Sequence, residues 1–357
     1  MPAMAGVGTP RRPMIENRVP ATNGQVTLRP TTSGADEWRR LVDEVPNVGF
    51  VQTWEYGEAK AHATSWTIER HVVCEDDTPI GIVQAQVRRI PGIDRGIVWI
   101  NRGPAFFDPK SPRYLSRMHD ALKVLHQYWV LKRRYLLRIA PPVATTEKFV
   151  LDGLPFRNLE ASRGWSSARL DLTPELDDLR KRLDSKWRNC LTKAERSGLS
   201  VSCRTDSAAV EEFCSDYAKF LRERRISTSV SPDLLRKLAG FSDPTRRPIV
   251  VSATFEDNNV GAAYFVRFGN CSEYMAALNT EKGRTLNVGN FLLWTAVREL
   301  KRSSCCTLDL GGMHPVETPK GIFHFKAGMG GTPYEHIGVL EAGAVGIINR
   351  IISMALR

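Results

Sequence analysis

Between residues 26 and 310 the chain passes twice through one order of elements: a short strand, helices, an antiparallel run of strands, a long helix and a closing strand. In the first pass, 26–28 reads as a strand, 35–45 as a helix stopped by Pro46, and 53–63 as a second helix. Strands at 68–73 and 80–89 flank Glu75-Asp76-Asp77-Thr78-Pro79, a turn by composition, and 96–100 is a third. An amphipathic helix over 112–131 and a strand over 135–139, ended by Pro141-Pro142, complete it. In the second pass, 168–172 is a strand and 174–196 and 208–225 are helices. A meander over 249–255, 260–268 and 273–278, a helix over 289–302 and a strand over 307–310 follow. Such a chain is predicted to form two similar α/β (α+β) domains with a cleft between them, the default place for a ligand.

Composition narrows the class. Fifty Lys and Arg against 39 Asp and Glu give a net charge of +11, a balance that favours polyanionic partners or an anionic membrane surface. Seven cysteines, odd in number and without C-x-x-C spacing, fit a reduced cytosol, so a cytoplasmic protein is expected. The N-terminus shows no secretory apolar core, and no run approaches the roughly 20 apolar residues of a membrane span. Residues 1–25 lack periodicity and read as a disordered leader. No H-E-x-x-H, clustered Cys/His or G-x-x-x-x-G-K-[ST] is present, so neither a metal nor nucleotide hydrolysis is expected.

The densest motif is Leu308-Asp309-Leu310-Gly311-Gly312-Met313 followed by Lys320-Gly321-Ile322-Phe323-His324-Phe325-Lys326-Ala327-Gly328-Met329-Gly330-Gly331. Gly311-Gly312 allows a sharp turn. Apolar Ile322, Phe323 and Phe325 against polar His324 and Lys326 read as a strand, with His324 and Lys326 sharing a face. Lys326 is then either an edge lysine in water or an ammonium aimed into a cleft to neutralise a forming anion. His324 is either a proton relay or an idle strand-face histidine, and His314 lies in the loop after Gly312.

The stretch 174–196 is the best nucleic-acid candidate. Thr173 reads as its N-cap, Pro174 as its first residue and Gly198 as its stop. Leu176, Leu179, Leu183, Trp187, Leu191 and Ala194 form an apolar stripe. Seven basic residues between Arg180 and Arg196 face only Asp184 and Glu195, a net +5. Arg180, Lys181, Arg182, Lys186, Arg188 and Lys193 are the candidate phosphate contacts; a solvated helix face is the plainer reading.

The element order is that of an N-acetyltransferase-like (GNAT-like) fold. Asp-Leu-Gly-Gly and then Gly-Ile-Phe-x-Phe-Lys-x-Gly-Met-Gly-Gly resemble the C-terminal signature of the Fem family, aminoacyl-tRNA-dependent aminoacyltransferases that build peptidoglycan cross-bridges. Other stretches resemble that family in order: Gln52-Thr53-Trp54 with Lys60, Arg102-Gly103-Pro104, Leu170-Asp171-Leu172 with the basic helix, and Glu223-Arg224-Arg225. The resemblance implies tandem GNAT-like domains, a first over 26–160 completed by 337–357 and a second over 161–336. It implies transfer of an amino acid from aminoacyl-tRNA, a co-substrate, to an acceptor amine, with no cofactor. Lys326 would stabilise the oxyanion, with Phe325 positioning it, and Lys60, Trp54, Arg224 and Tyr274 would fall on the acceptor side.

Departures from the family pattern fall near Ala140, Val230, Leu234 and Ala276, where an acidic residue, an arginine and tyrosines are expected. The acceptor side is therefore altered, leaving a cell-wall precursor, a peptide or a small-molecule amine open. An acyl-CoA-dependent N-acyltransferase is the competing reading; Arg284-Thr285-Leu286-Asn287-Val288-Gly289-Asn290 lacks the paired small residues of a coenzyme A loop. Residues 343–356 could form an amphipathic helix for peripheral membrane contact or for docking on the first domain. A monomer is expected.

Overall fold

The computed structural model describes residues 24–32, 34–92, 94–159 and 162–343. Most of the expected leader and the amphipathic segment over 343–356 lie outside the described residues, as does most of 337–357. In the first half, β1 (Val26–Thr31) leads to α1 (Ala35–Asp43) and α2 (Trp54–Ala63), whose N-cap Thr53 accepts the N–H of Tyr56. The antiparallel β2 (Thr67–Glu75), β3 (Thr78–Arg89) and β4 (Gly96–Asn101) follow, then the short β5 (Ala105–Phe106). Helix α3 (Tyr114–His126) crosses to β6 (Leu136–Ala140), which runs parallel to β4, and β7 (Arg157–Asn158) closes the half.

The second half begins with β8 (Ser166–Asp171), α4 (Leu176–Arg182) and α5 (Ser185–Glu195). Next come β9 (Ser200–Arg204), α6 (Ser207–Arg224), α7 (Pro232–Phe241), β10 (Ile249–Phe255), β11 (Asn258–Phe268) and β12 (Cys271–Asn279). The short α8 (Glu281–Thr285) and the long α9 (Val288–Arg302) lead to β13 (Thr307–Asp309), parallel to β12. Helix α10 (Lys320–Ala327), β14 (Thr332–Glu335) and β15 (Leu340–Ala342) end the described chain.

Apart from β5, which pairs with β3, the sheets repeat each other strand for strand. One runs β1-β2-β3-β4-β6-β15-β7, the other β9-β10-β11-β12-β13-β8-β14. Even the tight turns correspond: Asp76-Asp77 joins β2 to β3 and Glu256-Asp257 joins β10 to β11, all four with positive φ, as a hairpin of matched twist requires. This order corrects the sequence alignment of the two passes, because the counterpart of β1 is β9 and not 168–172. Instead, β8 stands beside β13 as β15, from the end of the chain, stands beside β6.

The expected helix over 174–196 is two helices. Leu183 and Asp184 are extended, and the Asp184 carboxylate accepts the N–H groups of Lys186 and Trp187, restarting the helix. The first of the two, α4, starts after Glu175, and neither Glu175 nor the expected Thr173 caps it with its side chain. The apolar stripe survives the break: Leu179, Leu183, Trp187, Leu191 and Ala194 are all buried.

Three large apolar cores result. One lies under the first sheet with α3 and one under the second with α5 and α9. The third crosses the seam, where Trp38, Val42 and Phe50 of the first half meet Phe213, Tyr264 and Phe268 of the second. The seam opens at a hollow of about 400 Å³ bordered by Asp43, Arg246 and Arg267.

Candidate active site

The segment around Lys326 is a helix, not the expected strand. Pro319 has a φ of −49° and accepts from the N–H groups of Ile322 and Phe323, and the Gly328 N–H closes the last turn on His324. Over eight residues the apolar spacing 322, 323, 325 serves either period, and the proline and glycine at the two ends decide it. His324 and Lys326 consequently do not share a face: two residues are about 200° of helix. His324 is exposed while Lys326 is buried, which removes His324 as a relay partner.

Lys326 lies at one end of a cavity of about 620 Å³ over β12. Tyr274, the fourth residue of that strand, faces the ammonium, with Lys326 Nζ 5.4 Å from its ring centre. Nζ donates to the Gly312 carbonyl at 2.9 Å, so the Gly311-Gly312 turn supplies its one hydrogen-bonded partner among the described residues. At Gly311 the backbone has a φ of +70°, and a Cβ there would come within 2.5 Å of the Tyr274 carbonyl, so only glycine fits. Burial pushes the Lys326 pKa down to about 8, against the pull of Asp309 and Glu273.

Two carboxylates lie near Lys326, and neither is paired with it. Asp309 accepts from the Ser167 hydroxyl at 2.5 Å, the Gly311 N–H at 2.9 Å and the Tyr334 hydroxyl. Glu273, fully enclosed, binds Arg102 of the first half at 3.1 Å. The Arg102 guanidinium also stacks on Trp165 at 4.6 Å. In the sequence Arg102 belongs to a motif without an evident role, and its partner is 171 residues away.

The cavity has an apolar middle and a polar far end. Phe220, Leu221, Ile226, Met275 and Ile322 line the middle. Asn279, Arg284, Asn287 and Asn290 line the far end, beside the N-terminus of α9. Tyr274 and Asn279 are five residues apart on one strand, a backbone separation of at most about 16 Å. The Asn279 side-chain oxygen is buried without a partner among the described residues. Phe325 lines this cavity too, and its carbonyl accepts from Trp187 Nε1 at 2.9 Å.

The basic elbow docks against the same helix. Asp184 N–H donates to the Gly328 carbonyl, and a Cβ on Gly330 would come within 2.6 Å of the Arg182 carbonyl. Arg180 is paired with Glu195, Lys181 with Asp178, and Arg188 with the Lys181 carbonyl. Arg182, Lys186, Lys193 and Arg196 make no ion pair among the described residues, unlike Arg180 and Lys181.

The other expected site residues line no part of this cavity. Trp54 stacks on Arg70 at 3.7 Å, and Arg70 pairs with Glu58. Lys60 is half-buried one turn beyond Tyr56; burial lowers its pKa and no carboxylate holds it among the described residues. Arg224 is exposed on the last turn of α6. Of the positions that depart from the family pattern, Ala140, Val230, Leu234 and Ala276, only Ala276 lines the cavity. Among the described residues no helix is long and apolar enough to cross a membrane, and no cluster of His, Cys, Asp or Glu could hold a metal.

Comparison with known structures fits this architecture. The crystal structure of FemX superposes with a TM-score of 0.73 at 15% identity, covering 91% of this chain and 99% of that one. The chain shares the fold of FemX. A conserved protein of unknown function from Bacteroides thetaiotaomicron aligns with a TM-score of 0.56 at 7% identity, over 88% of this chain and 99% of that one. Residues 178–327 match the sequence family described as an acetyltransferase (GNAT) domain, and the chain has the tandem GNAT-like fold expected of it. No curated protein sequence matches the chain.

Proposed function

We propose that this protein is an aminoacyltransferase that moves an amino acid from aminoacyl-tRNA to an amine, forming an amide. One observation carries the reading: a buried ammonium lines the cavity, with a glycine carbonyl as its hydrogen-bonded partner and no carboxylate partner among the described residues. An ester of tRNA is already reactive, so the enzyme must align the amine and stabilise the oxyanion of the tetrahedral intermediate. Lys326 is the cation for that oxyanion, and Phe325 and Trp187 fix its helix. The unpaired Arg182, Lys186 and Lys193 lie on the elbow docked to α10, where phosphates of the acceptor stem would be neutralised. The FemX-like fold is consistent with this assignment.

On the acceptor side the ammonium of Lys60, half-buried and unpaired among the described residues, suits a phosphate or carboxylate of a cell-wall precursor, peptide or small amine. The second reading is N-acylation from an acyl-CoA. It is favoured by the amides at the start of α9, which open on the polar end of the cavity beside Arg284, where a pyrophosphate would fit.

Incubation with labelled charged tRNA or labelled acetyl-CoA, each with a panel of amines, tests the two. Label leaving tRNA only with protein and amine present, and lost in Lys326→Ala, is the expected result; label leaving acetyl-CoA alone would overturn it.

A further inference from the structure

We infer that Arg102 is a positioning residue for this centre: by holding the Glu273 carboxylate from the opposite half, it keeps that carboxylate off the Lys326 ammonium. The inference rests on the reading of Lys326 as the group that meets the oxyanion.

An ammonium buried beside two carboxylates would ordinarily pair with one of them, and a paired ammonium has less charge to offer a reacting oxygen. Each carboxylate is committed elsewhere. Asp309 is filled by Ser167, Gly311 and Tyr334, with Arg169 a further 3.8 Å away. Glu273 has one strong partner, Arg102, and both side chains of that pair are 6% exposed, so the pair is shielded from water and salt.

The Arg102 side chain is held from several sides. It packs on Trp165, and a Cβ on Gly49 would come within 3.0 Å of it. Its own backbone has a φ of +50°, in the left-handed region uncommon for a residue with a side chain. Tyr274 faces Lys326 from β12, and Tyr56 and His336 border Arg102; none of these is a cation that could replace it beside Glu273. Arg169 is engaged at Asp309, 3.8 Å away, so once the guanidinium of Arg102 is removed the remaining cation that acts on the buried Glu273 carboxylate is Lys326.

The two halves of the pair therefore act on Lys326 with opposite sign. Arg102→Met frees Glu273 to bind the ammonium, stabilising its charged form and drawing Nζ away from the cavity. Glu273→Gln removes a nearby negative charge and makes the ammonium easier to deprotonate.

Competitive acetylation of the full chain with acetic anhydride, across neutral to alkaline pH, reads the ionisation of Lys326 directly by mass spectrometry of its peptide. Arg102→Met is expected to raise the midpoint of Lys326 labelling by about one pH unit or more, and Glu273→Gln to lower it. Arg102→Lys, which keeps the charge, should stay near the parent, and the Arg102→Met/Glu273→Gln pair should return toward it. Transfer by Arg102→Met should lose about tenfold in kcat with little change in KM for the donor. An unchanged labelling midpoint in Arg102→Met would overturn the inference, and if Arg102→Met does not fold, an unchanged midpoint in Glu273→Gln would overturn it as well, because Glu273 would then not act on Lys326. The labelling needs no turnover. Transfer that survives Lys326→Ala would defeat the functional reading while the midpoints still report whether Arg102 governs Lys326.

Discussion

Trp187 Nε1 donates to the main-chain carbonyl of Phe325 at 2.9 Å, so one side chain ties the basic helix α5 to the helix that carries Lys326. The rings of these residues also lie 6.0 Å apart, and a Cβ on Gly328 would meet the indole at 2.8 Å. Trp187→Phe keeps most of the packing but leaves a carbonyl without its donor. It should cost about 1 kcal/mol of stability and lower kcat several-fold, as read by urea denaturation beside the transfer assay. A variant with lowered stability and unchanged kcat would make the bond structural only.

Lys326 itself should be a cost to the fold. Its ordinary pKa is near 10.5 and burial lowers it to about 8, so below pH 8 the folded state carries the full penalty of a desolvated ammonium. Between about pH 8 and 10.5 the unfolded chain binds the proton that the folded one has released. Stability attributable to this group therefore rises with pH through that window. Lys326→Met should be more stable than the parent at neutral pH by roughly 1–3 kcal/mol, a gain that vanishes above the unfolded pKa, while transfer is lost. Denaturant midpoints at neutral and strongly alkaline pH measure it. Equal midpoints at both would show that the ammonium is not desolvated.

Transfer should also depend on pH in the sense set by the same group. Because the charged ammonium is the working form, kcat should fall as pH rises through about 8. The profile is read with saturating charged tRNA, after correction for the spontaneous hydrolysis of the ester. A kcat that climbs through that region would mean that Lys326 works as the free amine, a base or nucleophile instead of an oxyanion partner.

Much of the architecture is legible in the sequence because each half repeats strong local signals. Thr53 before α2, the Glu256-Asp257 turn and the apolar face of α9 are signals that short-range chemistry carries. Strand β9 is hard to see in the sequence because Ser200–Arg204 is an exposed edge strand with little apolar alternation. The break at Asp184 is obscured by an apolar stripe that continues at helical spacing through it. Lys326 stands out by its motif, although the pattern suggests the wrong kind of element. Its setting does not, because the bond from Arg102 to Glu273 spans the two halves and no local pattern encodes a pairing at that separation.

The basic residues of the elbow divide into paired and unpaired, and tRNA binding should divide the same way. Reversing the charge of Arg182, Lys186 and Lys193 together should weaken binding and flatten its salt dependence. The log–log slope should drop by roughly 0.7–0.9 for each phosphate that is no longer neutralised. Arg180→Ala removes a cation already bound to Glu195 and should change the slope far less. Fluorescence anisotropy with labelled tRNA over a salt series measures both, and equal slopes for the two variants would place the RNA on another face.

The packed seam makes a further demand, on folding. Phe50, from the first half, lies 5.4 Å from Tyr56 and 5.6 Å from Phe268 of the second half, within a core shared by both. Separate domains joined by a polar surface would unfold in two steps, but halves that share one apolar core should melt together. Phe50→Ala should cost about 3–5 kcal/mol by opening a cavity in that core. Because the Phe50 ring couples the two sheets, the variant should also broaden the unfolding transition or split it in two. Calorimetry gives the answer: one sharp transition in the parent and a broadened or double one in Phe50→Ala. Two resolved transitions in the parent would mean that the seam does not bind the halves into one unit.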